Sequence, residues 1–239
     1  LIVETLENYL PGFYKNNLVY ISGPCHAEEV AREMLTGLIS ASPNGKNSIR
    51  FRELLTCSSL IVFSSFDVIG VQICAAVKNV IAVAFGILDA LKERSSGFGD
   101  NTESLLLAAG LNEIQLLGMA MGATHPETFT SIAGVGDLEV TCRSPYGRNR
   151  RFGLDIIRNS MLDNHENLQE LIEHIDTLPY FPEGIVAAMA TYRLAQKYQL
   201  KLPIITGVYR ILNKEVQPVE ELNRILHSLT GSTSRNFLR

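Results

Sequence analysis

The sequence predicts an α/β segment over residues 1–66 followed by an all-α domain over residues 67–239. Short apolar runs bounded by Gly, Ser and Asn fill the first part: NLVYISG (17–23), TGLISAS (36–42) and SLIVFSS (59–65), the pattern of buried strands. From Asp67 onward strand signals fade, and long runs of helical periodicity replace them. With 239 residues, 46% hydrophobic and 19% charged, the chain can bury a substantial core in one large or two ordinary domains.

The opening LIVETLENYLPG has no basic region and no cleavage site, so it does not read as a secretory signal. It begins without Met inside a helical pattern, and further chain upstream is expected. HAEEVAREM between the first two runs and NSIRFRELLTC before the third read as short helices. Asp67 is the expected N-cap of a long helix from about residue 68 to residue 94. The apolar run Val68 to Leu91 is long enough to span a bilayer, but Gln72, Lys78 and Asn79 interrupt it. A charge near the bilayer centre costs at least about 2.5–3.5 kcal/mol, so the run reads as the central helix of a helical domain, with no membrane insertion.

Further helices are expected at NTESLLLAAGLNEIQLLGMAMGA, at HPETFTSIAG, at PEGIVAAMATYRLAQKYQL and at PVEELNRILHSL, with TGSTSRNFLR a frayed tail. The stretch 159–181 is polar and acidic and reads as a linker or insertion.

A net charge of −4 provides no global basic field to draw the protein to nucleic acid or a membrane surface. An anionic ligand therefore needs a local cluster, and GRNRR offers Arg148, Arg150 and Arg151 as charge-assisted donors. The four cysteines are widely spaced, with no CxxC and no Cys/His ligand pattern, so no metal site is expected and the thiols suit a reducing, cytoplasmic setting.

Lys78 is the unusual residue. Ala75, Ala82 and Gly86 flank it along its helix face, leaving room for approach. A lysine there either snorkels to solvent or a carboxylate, or serves proton transfer. Asp137 in GVGDLE reads as a turn or cap residue, and neither GVGDLE nor GFGDNT is a dinucleotide fingerprint.

Three stretches, SGPCHAEEVA (22–31), AVKNVIAVAFGILDAL (76–91) and IAGVGDLEVTCRSPYGRNRRFG (132–153), together resemble the NAD(P)-dependent glycerol-3-phosphate dehydrogenases. EGIVAAMA (183–190) and LPIITGVYRIL (202–212) fall in order behind them, and 159–181 is the exception. The resemblance implies that residues 1–66 are the remnant of a Rossmann-type nucleotide-binding domain and residues 67–239 the substrate domain. It implies a general acid/base at Lys78, a substrate contact at Asn79, and an aspartate, Asp137, that binds the glycerol hydroxyl and orients the lysine. Arg148 then contacts cofactor and substrate phosphates, Asn149 holds substrate and Glu183 contacts cofactor. In the loop, Gly23 and Cys25 fall on substrate contacts and Ala27 on a cofactor contact.

The sequence departs from that pattern in places. Cys25 stands where the family has serine, and a thiol is a weaker hydrogen-bond partner. Gly147 replaces the serine of the SRN element, and Ala109 replaces an arginine. No G-x-G-x-x-G occurs, so most of the NAD or NADP site is expected upstream. The implied partner is a small phosphorylated substrate, with a homodimer admitted as the assembly. The chain alone is expected to be inactive or nearly so. A related hydroxy-acid dehydrogenase and a non-catalytic helical dimerisation module are the rival readings.

Overall fold

The computed structural model describes residues 1–94 and 97–232, with side chains through residue 229. Contacts group the chain into two compact units, residues 1–75 with 114–140, and residues 76–113 with 141–239. Residues 114–140 group with the sheet.

In the first unit α1 (Ile2–Tyr9) precedes β1 (Tyr20–Ser22), α2 (Ala27–Val30), β2 (Thr36–Ala41), α3 (Gly45–Leu55) and β3 (Leu60–Ser65). The three-stranded sheet has the order β1-β2-β3. β2 and β3 are parallel, with Thr36 opposite Leu60, and α3 supplies the crossover that a parallel pair requires. β1 runs antiparallel to β2, with Tyr20 opposite Ala41. Ser40 Oγ donates to Ser48 O at 3.0 Å and Ser48 Oγ donates to Ser40 O at 2.7 Å, a buried reciprocal pair that pins α3 to β2. Ile39, Ala41, Val71 and Ala133 form the local core.

Asp67 caps α4 (Val68–Lys92) as its sequence position predicts: its Oδ1 accepts from Gly70 N at 3.0 Å. The same carboxylate accepts from Thr124 N at 3.2 Å, His125 N at 3.4 Å and Thr128 Oγ1 at 2.8 Å, which ties the segment after α5 (Asp100–Ala120) to the start of α4. α6 (Glu127–Thr130), a π-helical turn at Ile132–Gly136 and α7 (Asp137–Arg143) follow.

The second unit adds α8 (Arg148–Arg158), α9 (Leu168–Glu173), α10 (Glu183–Lys197), α11 (Pro203–Leu212) and α12 (Pro218–Ser232). The basic stretch at residues 148–158 was not foreseen as a helix, and α9 lies inside the segment read as a linker. The tail expected to fray is helical through Ser232, and its remainder lies outside the described residues.

Val77, Val80, Ile81, Val83, Ile87 and Leu88 of α4 have no exposed surface. Of the apolar window of this helix, 67% is buried inside the protein, which identifies a core helix. A Cβ on Gly86 would lie 1.9 Å from Arg150 O, and one on Gly153 would lie 2.2 Å from Val83 O. The backbones of α4 and α8 therefore touch, and only glycine allows it.

Candidate active site

The side chains implied by the family resemblance divide between the two units. Asn79, Arg148, Asn149 and Glu183 meet in the second. Asn149 sits near the start of α8, is 4% exposed and acts as the hub. Its Nδ2 donates to Asn79 Oδ1 at 2.9 Å and to Glu183 Oε2 at 3.3 Å, while its Oδ1 accepts from Gly184 N at 2.8 Å. One amide thus binds α4, α8 and α10 together, and its donor and acceptor sides are both used. Arg148 donates to Glu183 Oε1 at the mouth of this cluster, where the two side chains keep 56% and 39% of their surface open.

Gly184 contributes its N–H to the hub and was not singled out from sequence. A Cβ there would lie 2.8 Å from Asn79 O and 3.1 Å from Asn149 Oδ1. The available signal was a glycine in the first turn of an otherwise good helix, where it costs about 1 kcal/mol relative to alanine.

Lys78, beside Asn79, is half-buried between the fully buried Val77 and Val80. The row of small residues expected to open a path to it is closed along most of its length. Ala82 is fully buried and Gly86 is covered by α8, leaving Ala75 as the partly open end.

The arginine cluster is also divided. Arg150 Nε donates to Asp89 Oδ2 at 2.5 Å in a half-buried pair. Arg151 lies 4.7 Å over the Tyr180 ring and 3.8 Å from Asp155. Arg150 is therefore tied to Asp89 and Arg151 stands by Tyr180 and Asp155, while Arg148 stands at the hub. Gly147 is the N-cap of α8 and offers no side-chain cap.

The other implied residues belong to the first unit. Asp137 opens α7 and is 1% exposed. Burial raises the pKa of Tyr20 on β1, and the negative charge of Asp137 raises it further. Gly23 ends β1's turn with φ +137°, and a Cβ there would meet Gly37 O at 2.8 Å, so the position requires glycine. Cys25 and Ala27 are exposed at the start of α2.

A second polar cluster lies farther along α4. Asp89, Lys92, Glu93, Glu103, Arg143, Arg150 and Arg158 line a cavity of about 480 Å³ with Phe85 and Leu154. Lys92 bonds Asp100 at 2.5 Å and Glu103 at 2.7 Å, Arg143 bonds Glu103 at 3.1 Å, and Arg158 bonds Glu93. Burial raises the pKa of Asp89 although Arg150 pulls it down, and the hydrogen bonds that Lys92 donates to Asp100 and Glu103 raise its own. Every cation in this cavity is matched by a carboxylate.

A strand–helix sheet ahead of an all-helical part, with a long buried central helix, is the architecture of the C-terminal part of a two-domain dehydrogenase. The chain belongs to the NAD-dependent glycerol-3-phosphate dehydrogenase family. Residues 67–223 match the family model described as the C-terminus of that enzyme, and residues 1–48 match its N-terminus model. Among curated relatives, a glycerol-3-phosphate dehydrogenase [NAD(P)+] of Treponema denticola is 62% identical over 96% of this chain and 64% of its own length. One from Treponema pallidum strain Nichols is 58% identical over 90% of this chain and 60% of its own length. The crystal structure of the Coxiella burnetii glycerol-3-phosphate dehydrogenase is similar with a TM-score of 0.75 and 34% identity, covering 87% of this chain and 59% of that one. A Plasmodium falciparum structure, at 20% identity and a TM-score of 0.76, shares the fold. The chain spans less than two thirds of the length of these relatives.

Proposed function

We propose that the chain is part of an oxidoreductase that interconverts dihydroxyacetone phosphate and sn-glycerol 3-phosphate by hydride transfer with NADH or NADPH, feeding glycerophospholipid synthesis. Residues 1–66 are the end of the nucleotide-binding domain in this reading, and residues 67–239 the substrate domain. The observation that carries it is the buried Asn149, which holds Asn79, Glu183 and Gly184 in one network beside Lys78 and Arg148.

The nicotinamide, when bound, supplies or accepts the hydride. Arg148 and Glu183 suit a cofactor contact because the pair stays open at the rim, and Ala27 is exposed for the same role. Lys78 gives a proton to the oxygen on which negative charge develops and takes it back in the reverse direction. Its neighbour Asn79 is fixed by Asn149, so a hydroxyl or carbonyl bound there meets a preorganised amide. Arg148 offers a planar donor to the substrate phosphate. Asp137, Gly23, Cys25 and Gly147 complete the substrate contacts, with Asp137 orienting the lysine. A cytoplasmic location, a homodimer, and no nucleic-acid or membrane partner complete the proposal.

The test is oxidation of NADH and NADPH with dihydroxyacetone phosphate by the full-length protein and its Lys78→Ala variant. Turnover by the parent and a loss of about 10²–10⁴-fold in kcat for the variant are expected. A folded, cofactor-binding parent with no turnover on this substrate would move a related hydroxy-acid reaction to the front.

A further inference from the structure

We propose that His165, Glu170 and His174 bind a divalent cation of the zinc type, at a site separate from the hub around Asn149. One donor atom from each of the three side chains lies within 4.8 Å of the other two. The cysteines carry no ligand spacing, and these histidines were not paired by sequence because His165 precedes α9 and His174 follows it.

The backbone carrying the three side chains is held on several sides. Asn167 caps α9, accepting from Glu170 N at 3.0 Å, and Leu168 and Leu171 are fully buried beneath it. Leu168 N donates to Asn213 Oδ1 at 3.1 Å, and Lys214 Nζ donates to His165 O at 2.9 Å. Glu170 and His174 are four residues apart and share one face of this turn.

The hydrogen bonds around the donors orient them as ligands need. His174 Nδ1 lies 2.9 Å from Glu170 O, and a carbonyl only accepts, so the ring proton is on Nδ1 and the lone pair on Nε2. Glu170 Oε2 accepts from Glu166 N at 2.5 Å, which fixes the carboxylate and leaves its other oxygen for an ion. The His165 and His174 rings stand 6.0 Å apart between centroids. A tetrahedral ion with bonds of about 2.0–2.1 Å needs its donors about 3.3 Å apart, so the three side chains must turn inward from the spacing seen here.

Charge and ligand type select the ion. Residues 159–181 hold Asp163, Glu166, Glu170, Glu173 and Asp176 and no Lys or Arg, so the segment attracts cations, against one nearby positive charge on Lys214 at His165 O. Two imidazoles and one carboxylate suit Zn²⁺ with water in the fourth position, and disfavour Mg²⁺ and Ca²⁺, which require oxygen ligands. A bound ion would join the segment before α9 to its last turn, on the connection between α8, which carries Arg148 and Asn149, and α10, which carries Glu183.

Isothermal titration of the full-length protein with ZnCl₂ tests this, using His165→Ala, His174→Ala and Glu170→Gln variants and Glu173→Gln as the control. One ion per chain with micromolar affinity is expected, weakened at least tenfold by each of the three substitutions and unchanged by the control. Co²⁺ in place of Zn²⁺ should give visible absorption that the two histidine variants lose. Because the substituted side chains lie outside the core, circular dichroism will show each variant folded. No saturable binding, or binding that survives the double histidine replacement, overturns the proposal.

Discussion

Asn149 and Arg150 are neighbours on α8, yet they meet α4 about three turns apart, at Asn79 in its middle and at Asp89 near its C-terminus. Asn149 bonds Asn79 and leaves Arg148 and Glu183 open at the rim. Arg150 bonds Asp89 inside a cavity where every cation has its carboxylate. The first cluster positions neutral amides and keeps one guanidinium reachable. The second satisfies its charges internally, which suits holding helices together more than binding a ligand. The difference shows that a basic run such as GRNRR does not define a phosphate site by composition alone; the helix phase of each arginine decides what it can reach.

Both clusters depend on the contact between Gly86 and Gly153, which lies between them on α4. Gly86→Ala forces a methyl to within 1.9 Å of Arg150 O, so α8 must move away from α4. A loss of about 3 kcal/mol or more is expected, at the upper end for overpacking because the obstacle is backbone. Urea unfolding reads the stability, and the same variant should lose turnover as the hub opens. A stable, active Gly86→Ala protein would show that the two clusters are independent of this helix contact.

Arg148 and Arg150 offer a cleaner separation. Arg148→Ala removes a largely exposed pair with Glu183 and should change stability by less than about 1 kcal/mol. In the proposed enzyme it should raise KM for dihydroxyacetone phosphate at least tenfold. Arg150→Ala leaves Asp89, which is 11% exposed, without its guanidinium and should cost about 1–3 kcal/mol while kcat stays within twofold. Steady-state kinetics beside denaturant titrations of both variants decide it. Equal effects of the two on KM would return Arg150 to the phosphate site.

Much of this arrangement is legible in the sequence, and the reasons are local. Asp67 precedes a long apolar run and caps it, and three short apolar runs become β1, β2 and β3. Asn79, Arg148, Asn149 and Glu183 could be named from motif resemblance, and the fold gathers them. What escaped the sequence depends on nonlocal packing. α8 opens on the basic GRNRR run, so the helical pattern of Phe152, Leu154, Ile156 and Ile157 is short, and only packing in the fold buries Phe152 and Ile156. α9 is hidden in an acidic stretch whose Leu168 and Leu171 have partners far along the chain. The closed face at Gly86 could not be read either, since a small residue along a helix leaves room equally for a ligand or for a neighbouring backbone.

The last expected effect concerns a buried carboxylate that, unlike Asp89, is held by backbone amides. Glu113 accepts from Ile204 N at 2.7 Å and Ile205 N at 3.0 Å, at the first turn of α11. Burial pushes its pKa up to about 8, against the pull of those two amides. In the unfolded chain a glutamate ionises near 4.3. Between these values the unfolded state releases its proton while the folded state keeps it, so this contribution to stability is full below the unfolded value and is lost as pH rises toward 8. From pH 5 to pH 8 the unfolding free energy of the parent should therefore fall relative to Glu113→Gln by up to about 3.6 kcal/mol, each pKa unit being worth about 1.4 kcal/mol. Urea titrations of both proteins at the two pH values measure the difference directly. A difference that stays flat, or grows with pH, would mean that the N-terminus of α11 holds the carboxylate ionised and that the amides outweigh desolvation. Glu113 would then be a charged helix cap built without a cation, in contrast to the paired carboxylates around Arg150.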